Sequence, residues 1–288
     1  NSMYLSHFGL NEPPFKITPL TEFFYGGANR KEILNALIYA IAHGEGIVKV
    51  TGEVGSGKTM LCRVLMERVP ETVETIYLAN PSLSRDEILY AIADDLGLDL
   101  AGQRTTAALK TLHQALIERY AAGKRVVVLI DEAHAMPLET LEEVRLLYNL
   151  ESGRHKLMQI VLFGQPELDA LLDLPEMRQL KDRITHHFTM QPFTQPVVKE
   201  YLMFRMRAAG YKGPDLFSRD AVRLITQVSQ GLTRRVNVLA DKSLLAAFVE
   251  NTHGIEGRHA RAAIRDSEYR TRDWRRFTRP ALIGAGSL

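Results

Sequence analysis

The sequence predicts an α/β fold: a parallel five-stranded sheet with helices on both faces, followed by a small all-helical domain. Two observations predict it. Up to Pro192, five short segments that suit strands alternate with stretches of helical periodicity, a pattern typical of a parallel sheet covered by helices. After Pro192 the strand signals stop and only helical periodicity continues, so an all-helical domain is expected to begin near residue 193.

The composition is that of an ordinary globular protein. The chain has 288 residues, of which 45% are hydrophobic and 24% charged, and its formal net charge is +2. That charge is too small to indicate a polyanionic partner by itself. Cys62 is the single cysteine, which excludes an intrachain disulfide, and no apolar run approaches the roughly 20 residues that span a bilayer. A cytoplasmic compartment is therefore expected. Met3 is expected to be the natural start, with Asn1 and Ser2 left from a cloning tag.

The N-terminal arm, residues 1–29, mixes aromatic residues with Pro and Gly. This composition indicates an irregular segment packed on a domain rather than a helix. Its aromatic side chains are interpreted as core anchors, and the alternative that some stack on a base or wall an adenine stays open. They are Phe8, Phe15, Phe23, Phe24 and Tyr25.

The core, residues 30–192, carries the alternating elements, and residues 193–269 carry the helical domain. Strands are predicted at Ile47–Thr51, 75–79, Arg125–Ile130, 157–163 and 184–190, with helices at 30–42, 84–96, 106–120 and Leu138–Tyr148. Further helices are predicted at 197–208, 218–228, 234–251 and 258–269. Residues 270–288 are assigned to a basic tail.

A glycine-rich turn links the strand Ile47–Thr51 to a helical run that includes Met60. It matches the pattern G-x-x-x-x-G-K-[ST] in full, in the strand–turn–helix context that confirms a P-loop. Glycines let backbone N–H groups surround an anion, and the following helix adds its positive dipole end. The motif predicts ATP bound with Mg²⁺, with Lys58 on the β- and γ-phosphates and the Thr59 hydroxyl on the metal. The predicted binding residues are Gly52, Glu53, Val54, Gly55, Ser56, Gly57, Lys58 and Thr59.

Two carboxylates end the apolar run Arg125–Ile130. A buried parallel strand would deliver them to its C-terminal edge, where Asp131 could hold Mg²⁺ and Glu132 could polarise the attacking water as general base. A solvated turn is the alternative. His134 fits no zinc pattern, because the chain has one cysteine, so no metal other than Mg²⁺ at Thr59 and Asp131 is expected.

Other polar residues are candidates by position. Gln165 follows the strand 157–163 and could contact the γ-phosphate or the water, although an amide at a strand end is also a common structural cap. Arginine stabilises charge on a transferred phosphoryl group, and four arginines sit where one would serve, although a solvated surface charge is the alternative for each. Arg178 and Arg183 precede the last strand, and Arg234 and Arg235 begin a helix of the helical domain.

The segment 258–279 holds eight arginines against three acids, a local charge of +5, with Tyr269, Trp274 and Phe277 interleaved. It is a candidate contact surface for phosphates or anionic lipid. The alternative is a solvated helix face with ion pairs.

Several motifs together resemble the ExeA/GspA family of AAA+ ATPases, and within it the MshM-type members of MSHA-pilus biogenesis. The motifs are Tyr4-Leu5-Ser6-His7-Phe8-Gly9-Leu10, the P-loop, Asp131-Glu132-Ala133-His134 and Gly164-Gln165-Pro166-Glu167-Leu168. The resemblance implies a P-loop AAA+ core with a five-stranded sheet and a helical lid. It also implies nucleotide bound between the subunits of a homo-oligomer, with pilus or secretion proteins as partners. Gln165 is similar to sensor 1, Arg183 to the arginine finger, and Arg234 to sensor 2.

The sequence departs from that family at two places. Thr233 stands where proline is usual, which puts the start of the helix at Arg234 in question. ExeA-type members continue into a membrane helix and a periplasmic module that this sequence lacks, so either a MshM-like protein or a shortened chain is expected. The resemblance implies ATP hydrolysis that drives type IV pilus or type II secretion assembly, in the cytoplasm or peripherally at the inner membrane. A DNA-associated ATPase resembling transposition regulators is the alternative.

Overall fold

The computed structural model describes residues 3–44 and 46–269. These residues form two compact units. The sheet unit holds Asn29–Val54 and Lys58–Met190, and the helical unit holds the described parts of Asn1–Ala28 and Gln191–Leu288 together with Gly55–Gly57. The tip of the P-loop thus groups with the helical unit.

The elements follow in chain order within the described residues. The helices are α1 (Leu5–Phe8), α2 (Arg30–His43), α3 (Lys58–Arg68), α4 (Arg85–Asp95), α5 (Thr105–Ala121), α6 (Leu138–Tyr148), α7 (Glu167–Leu172), α8 (Arg178–Arg183), α9 (Gln195–Ala208), α10 (Arg219–Ser229), α11 (Thr233–Val249) and α12 (Gly257–Arg265). The strands are β1 (Ile47–Thr51), β2 (Val73–Leu78), β3 (Arg125–Ile130), β4 (Glu151–Ser152), β5 (His155–Lys156), β6 (Met158–Gly164) and β7 (Ile184–Thr189).

The sheet unit is built on five parallel strands among the described residues, in the order β2-β3-β6-β1-β7. Every residue of β1 and β6 is buried, and so is every residue of β3 after its first. Strands buried on both faces read as continuous apolar runs, which explains why the sequence predicts them well. The expected parallel five-stranded sheet is confirmed.

The short hairpin of β4 and β5 is absent from the sequence-based expectations. Each of its strands has two residues, which pair antiparallel around Gly153 at φ +62°. A two-residue strand is too short for a period-2 pattern to be recognised. The hairpin occupies the connection between α6 and β6.

The arm belongs to the core of the helical unit. Phe8, Phe15 and Phe23 are each at most 5% exposed and pack in one cluster with residues of α9–α12, so their interpretation as core anchors is confirmed. The buried Arg205 of α9 donates from Nε to the Pro14 carbonyl at 2.7 Å and places its guanidinium 4.6 Å from the Phe23 ring centroid. The expectation of no helix in the arm is wrong at α1, a single turn that positions Phe8.

The expected helical part is present and consists of α9–α12 within the described residues. Thr233 stands at the first position of α11, and its presence in place of proline does not displace the start of the helix. The predicted helix 258–269 is shorter, because α12 ends at Arg265. In the described part of the chain, no helix is long and apolar enough to cross a membrane.

Candidate functional site

Three strands of the sheet unit end side by side. Thr51, the last residue of β1, pairs with Gly164 at the end of β6, and Ile130 of β3 pairs with Leu162 of β6. The N–H of Gly52 then donates to the Gly164 carbonyl at 3.1 Å. The P-loop and the segments that follow Ile130 and Gly164 therefore leave the same edge of the sheet, where ligands bind in open parallel sheets.

The P-loop has the backbone conformation that its glycines allow. Gly55 and Gly57 have φ of +76° and +96°, which is the left-handed region that other residues adopt at a cost. Successive N–H groups in such turns point into a concavity that binds anions. The helix α3 begins at Lys58, directly after this turn, so the positive end of its dipole faces the same concavity.

The Lys58 side chain is held inside this loop. Its Nζ donates to the carbonyls of Gly52 at 2.7 Å and Glu53 at 2.9 Å. Burial lowers the pKa of Lys58, and the negative charges of Asp131 and Glu132 act in the opposite direction. A buried ammonium gains most from an added anion, so this lysine is suited to a phosphate group.

The tip of the P-loop is fixed by the first turn of α11. The N–H of Arg234 donates to the Gly55 carbonyl at 2.9 Å, and the Thr233 hydroxyl lies 3.4 Å from the Ser56 carbonyl. A Cβ atom at Gly55 would lie 2.9 Å from the Cβ of Arg234, closer than such atoms approach. Gly55 is therefore required by this close approach as well as by its positive φ.

Asp131 is a buried carboxylate that accepts three hydrogen bonds. The hydroxyl of Thr59 donates to Oδ2 at 3.1 Å, that of Tyr77 to the same oxygen at 2.7 Å, and the N–H of Glu132 to Oδ1 at 2.9 Å. A hydroxyl and a carboxylate in contact are hard oxygen donors, and Mg²⁺ is commonly held by one or two such groups with water and phosphate as the other ligands. Thr59 and Asp131 together fit that ion. The described residues contain no group of three or more His, Cys, Asp or Glu side chains that could hold a metal.

Tyr77 belongs to this site although no sequence motif indicates it. It lies on β2, and its side chain reaches Asp131 because β2 and β3 are neighbours in parallel register. Burial and the hydrogen bond to Asp131 raise the pKa of Tyr77, so the phenol stays protonated and donates. An outer partner of this kind orients a metal-binding carboxylate.

Replacing Tyr77 by Phe is expected to raise the Mg²⁺ concentration needed for half-maximal nucleotide binding about tenfold. The substitution keeps the ring and removes one of the hydrogen bonds that orient Asp131. A Mg²⁺ titration of fluorescent nucleotide binding measures it. Tyr90→Phe is the matched control, since the Tyr90 hydroxyl donates to the Gln103 carbonyl at 2.9 Å, and an equal change in both variants would contradict the assignment.

Glu132 follows Asp131 in an unusual backbone conformation. Its φ is +57°, and non-glycine residues held in this region are concentrated at functional sites. Its side chain is 47% exposed, and Oε2 lies 3.5 Å from Nε2 of His134. The N–H of Gln165 donates to Nδ1 of the same histidine at 3.0 Å. His134 thus joins Glu132 to the segment that carries Gln165.

Arg183 lies at the opposite edge of the sheet from the P-loop. It is the exposed last residue of α8, directly before Ile184, which pairs with Ile47 at the start of β1. The five residues of β1 cover about 16 Å, more than an extended arginine side chain reaches. Arg183 therefore does not reach the P-loop of its own chain.

The arginines of segment 258–279 fall partly within the described residues. Arg258 pairs with Glu250 at 2.7 Å and Arg261 with Asp220 at 3.4 Å. For these two, the alternative of an ion-paired helix face is confirmed. The expected contact surface at residues 270–279 lies outside the described residues.

The sheet order, the P-loop after β1 and the Asp131-Glu132 pair after β3 define the fold of the P-loop AAA+ ATPases. A model of an AAA domain matches residues 41–172. The ORC2 protein of Aeropyrum pernix, solved in ADPNP-ADP complexes, has the same fold, with a TM-score of 0.66 at 18% identity, over 90% of this chain and 72% of that one.

Two curated relatives are similar in sequence. The chain is 40% identical to General secretion pathway protein A of Aeromonas hydrophila over 98% of its own length and 52% of that protein. It is 32% identical to the Mu-like prophage FluMu DNA transposition protein B of Haemophilus influenzae over 50% of its own length and 46% of that protein. The chain thus spans about half the length of each of these relatives.

Proposed function

We propose that this chain is an Mg²⁺-dependent ATPase that works at the interfaces of a homo-oligomer to drive assembly of a type II secretion or type IV pilus apparatus. The observation that carries the ATPase part is the meeting of three groups at one sheet edge. They are Lys58 inside the P-loop, the contact between Thr59 and Asp131, and Glu132 beside them.

Each residue has a step in the proposed reaction. Lys58 and the P-loop N–H groups bind the β- and γ-phosphates. Thr59 and Asp131 would hold Mg²⁺, which would neutralise charge on the phosphates. Glu132 accepts a proton from the attacking water. Gln165 orients that water or the γ-phosphate, and Arg234, whose N–H bonds the P-loop tip, senses the bound nucleotide.

The proposal that subunits share the site rests on Arg183. A residue at the far edge of the sheet cannot stabilise the transition state in its own subunit, but it is exposed and so available to a neighbour's γ-phosphate. An arginine supplied in trans performs this role in other nucleotide hydrolases. A ring is the arrangement in which each subunit gives and receives one finger.

The cellular role is proposed from similarity. The relative at 40% identity is called a general secretion pathway protein, which supports a role in type II secretion, and a MshM-type role in pilus biogenesis is the related possibility. A cytoplasmic protein peripheral to the inner membrane would suit either apparatus. Co-purification of secretion or pilus proteins with the tagged chain from its native cells tests this part.

Replacing Lys58 by Ala is expected to abolish ATP binding at concentrations that saturate the wild-type protein. Loss of one partner of a buried charge pair costs about 3 kcal/mol or more, which is about 100-fold in Kd. Titration with a fluorescent ATP analogue measures the effect. Lys58→Met is a second variant, which removes the charge and preserves the packing. The control is Lys110→Ala, since Lys110 is exposed. Wild-type affinity in both Lys58 variants would reject the phosphate site.

A DNA-associated ATPase is the second candidate. The similarity to a DNA transposition protein over half of the chain favours it. Such a protein would bind duplex DNA in an ATP-dependent manner, and the affinity would fall steeply with salt because phosphate contacts release counterions. That result, together with no association with secretion or pilus proteins, would favour the second candidate over the first.

A further inference from the structure

His134 bridges the two segments that leave β3 and β6. Its Nδ1 accepts the N–H of Gln165 at 3.0 Å, and its Nε2 lies 3.5 Å from Oε2 of Glu132. The imidazole is 12% exposed, so the ring is held between these two partners rather than rotating in solvent. Both ring nitrogens therefore face groups to which the ATPase proposal gives a function.

The two contacts fix the proton on the ring. A neutral imidazole has one N–H and one acceptor nitrogen. Because Nδ1 accepts a backbone N–H, the ring proton lies on Nε2, where it faces the carboxylate of Glu132. A donor aimed at that carboxylate limits its rotation, and a general base acts only within hydrogen-bond reach of the proton that it abstracts.

The surrounding backbone keeps this arrangement in place. A Cβ atom at Gly164 would lie 3.3 Å from the main-chain nitrogen of His134 and 3.0 Å from Cδ2 of Leu168. The absence of a side chain at Gly164 thus lets the end of β6 approach the turn Ala133–Ala135. Glu132 enters that turn with its positive φ, so the orientation of base and imidazole is set by the same short segment.

We propose that His134 is a positioning residue that couples the Gln165 segment to the base Glu132. The ring orients the carboxylate through Nε2–H and is itself oriented through Nδ1 by the main chain of Gln165. A shift of the Gln165 main chain, when its side chain meets the γ-phosphate, moves the ring and with it the carboxylate. The inference rests on the proposed function, in which Glu132 is the base.

Two substitutions separate the two contacts. The Asn side chain of His134→Asn places an oxygen acceptor near the position of Nδ1 and has no donor that reaches Glu132. The Gln side chain of His134→Gln places an amide donor near the position of Nε2 and leaves the Gln165 N–H without its acceptor. Because coupling requires both contacts, each variant, and His134→Ala, is expected to lose about 10- to 100-fold in kcat, with the Kd for ATP within about threefold of wild type.

The measurements are steady-state phosphate release, ATP affinity by fluorescence titration, and the unfolding midpoint. His113→Asn is the matched control, since the half-buried His113 contacts the Glu151 carbonyl through Nε2 at 2.8 Å, and it should keep the wild-type kcat. In the Glu132→Gln background, His134→Ala is expected to cause no further loss of kcat. If His134 acts through Glu132, the effects of the two substitutions do not add.

Four outcomes would overturn the inference. Wild-type kcat in His134→Asn would make the contact with Glu132 dispensable, and wild-type kcat in His134→Gln would make the contact with Gln165 dispensable. If ATP affinity fell in parallel with kcat, His134 would have a structural role only. A further loss of kcat when His134→Ala is added to Glu132→Gln would lead to the same conclusion. Failure of the proposed function is distinguishable, because Glu132→Gln would then itself turn over ATP at the wild-type rate.

Discussion

Replacing Glu132 by Gln is expected to leave ATP binding intact and to lower kcat about 100- to 10,000-fold. The amide has the shape of the carboxylate and keeps the backbone bond from its N–H to Asp131, so the metal ligand stays in place. It cannot accept a proton from water, and the chemical step loses its base. Phosphate release and fluorescent ATP titration, made on the same preparation, separate the two effects.

The control for this variant is an exposed glutamate that lies away from the site. Glu118 on α5 is contacted by the Gln114 amide at 3.4 Å, and Glu118→Gln should hydrolyse ATP at the wild-type rate. If Glu132→Gln also did so, the assigned base would be wrong. The P-loop assignment would survive, because Lys58, Thr59 and Asp131 are tested by binding alone.

Replacing Arg183 by Ala is expected to lower kcat about 1,000- to 100,000-fold, the range for removal of an arginine finger. ATP affinity should change little, since the distance along β1 keeps Arg183 from the nucleotide of its own subunit. Arg178→Ala is the matched control, because both arginines are exposed and are the first and last residues of the same helix, α8. If Arg178→Ala lost turnover and Arg183→Ala kept it, the finger would be assigned to the wrong end of the helix.

The sequence predicts the sheet because its central strands carry local signals. The bounds of β3 follow from an apolar run whose residues are buried after the first. The residues of β1 are also all buried, although Lys49 interrupts its apolar residues. The P-loop is one contiguous segment. The ends of β1, β3 and β6 can be placed together because parallel strands deliver their C-termini to one edge.

The remaining site residues depend on contacts between segments distant along the chain. Tyr77 reaches Asp131 through the register of β2 with β3, and His134 reaches Gln165 through the pairing of β3 with β6. Neither register can be derived from a local pattern. The sequence assigns His134 no role in metal binding and suggests no other role for it, and only the two distances show that its ring nitrogens face Glu132 and Gln165.

The N-terminal arm also depends on a contact between segments that are distant along the chain. The sequence predicts that its aromatic residues anchor it, but the buried Arg205 that donates to the Pro14 carbonyl lies 191 residues further along the chain. An arginine in an amphipathic helix is expected to be solvated. Its burial follows from backbone carbonyls of the arm that need a donor, a requirement visible only in the folded chain.

Mixing two inactive variants tests most directly whether the active site is shared between subunits. Lys58→Ala keeps the finger and loses the phosphate site, whereas Arg183→Ala keeps the phosphate site and loses the finger. In an equal mixture of randomly assembled subunits, about a quarter of the interfaces join an intact P-loop to an intact finger. Glu132→Gln can replace Lys58→Ala as the finger donor, since it should still bind ATP.

The predicted result is partial recovery of hydrolysis on mixing, with specific activity that rises with protein concentration, because ATP linked to both subunits favours assembly by mass action. Light scattering of ATP-bound Glu132→Gln should detect the assembled state. A monomeric protein whose specific activity is independent of concentration, with no recovery in either mixture, would contradict a shared site.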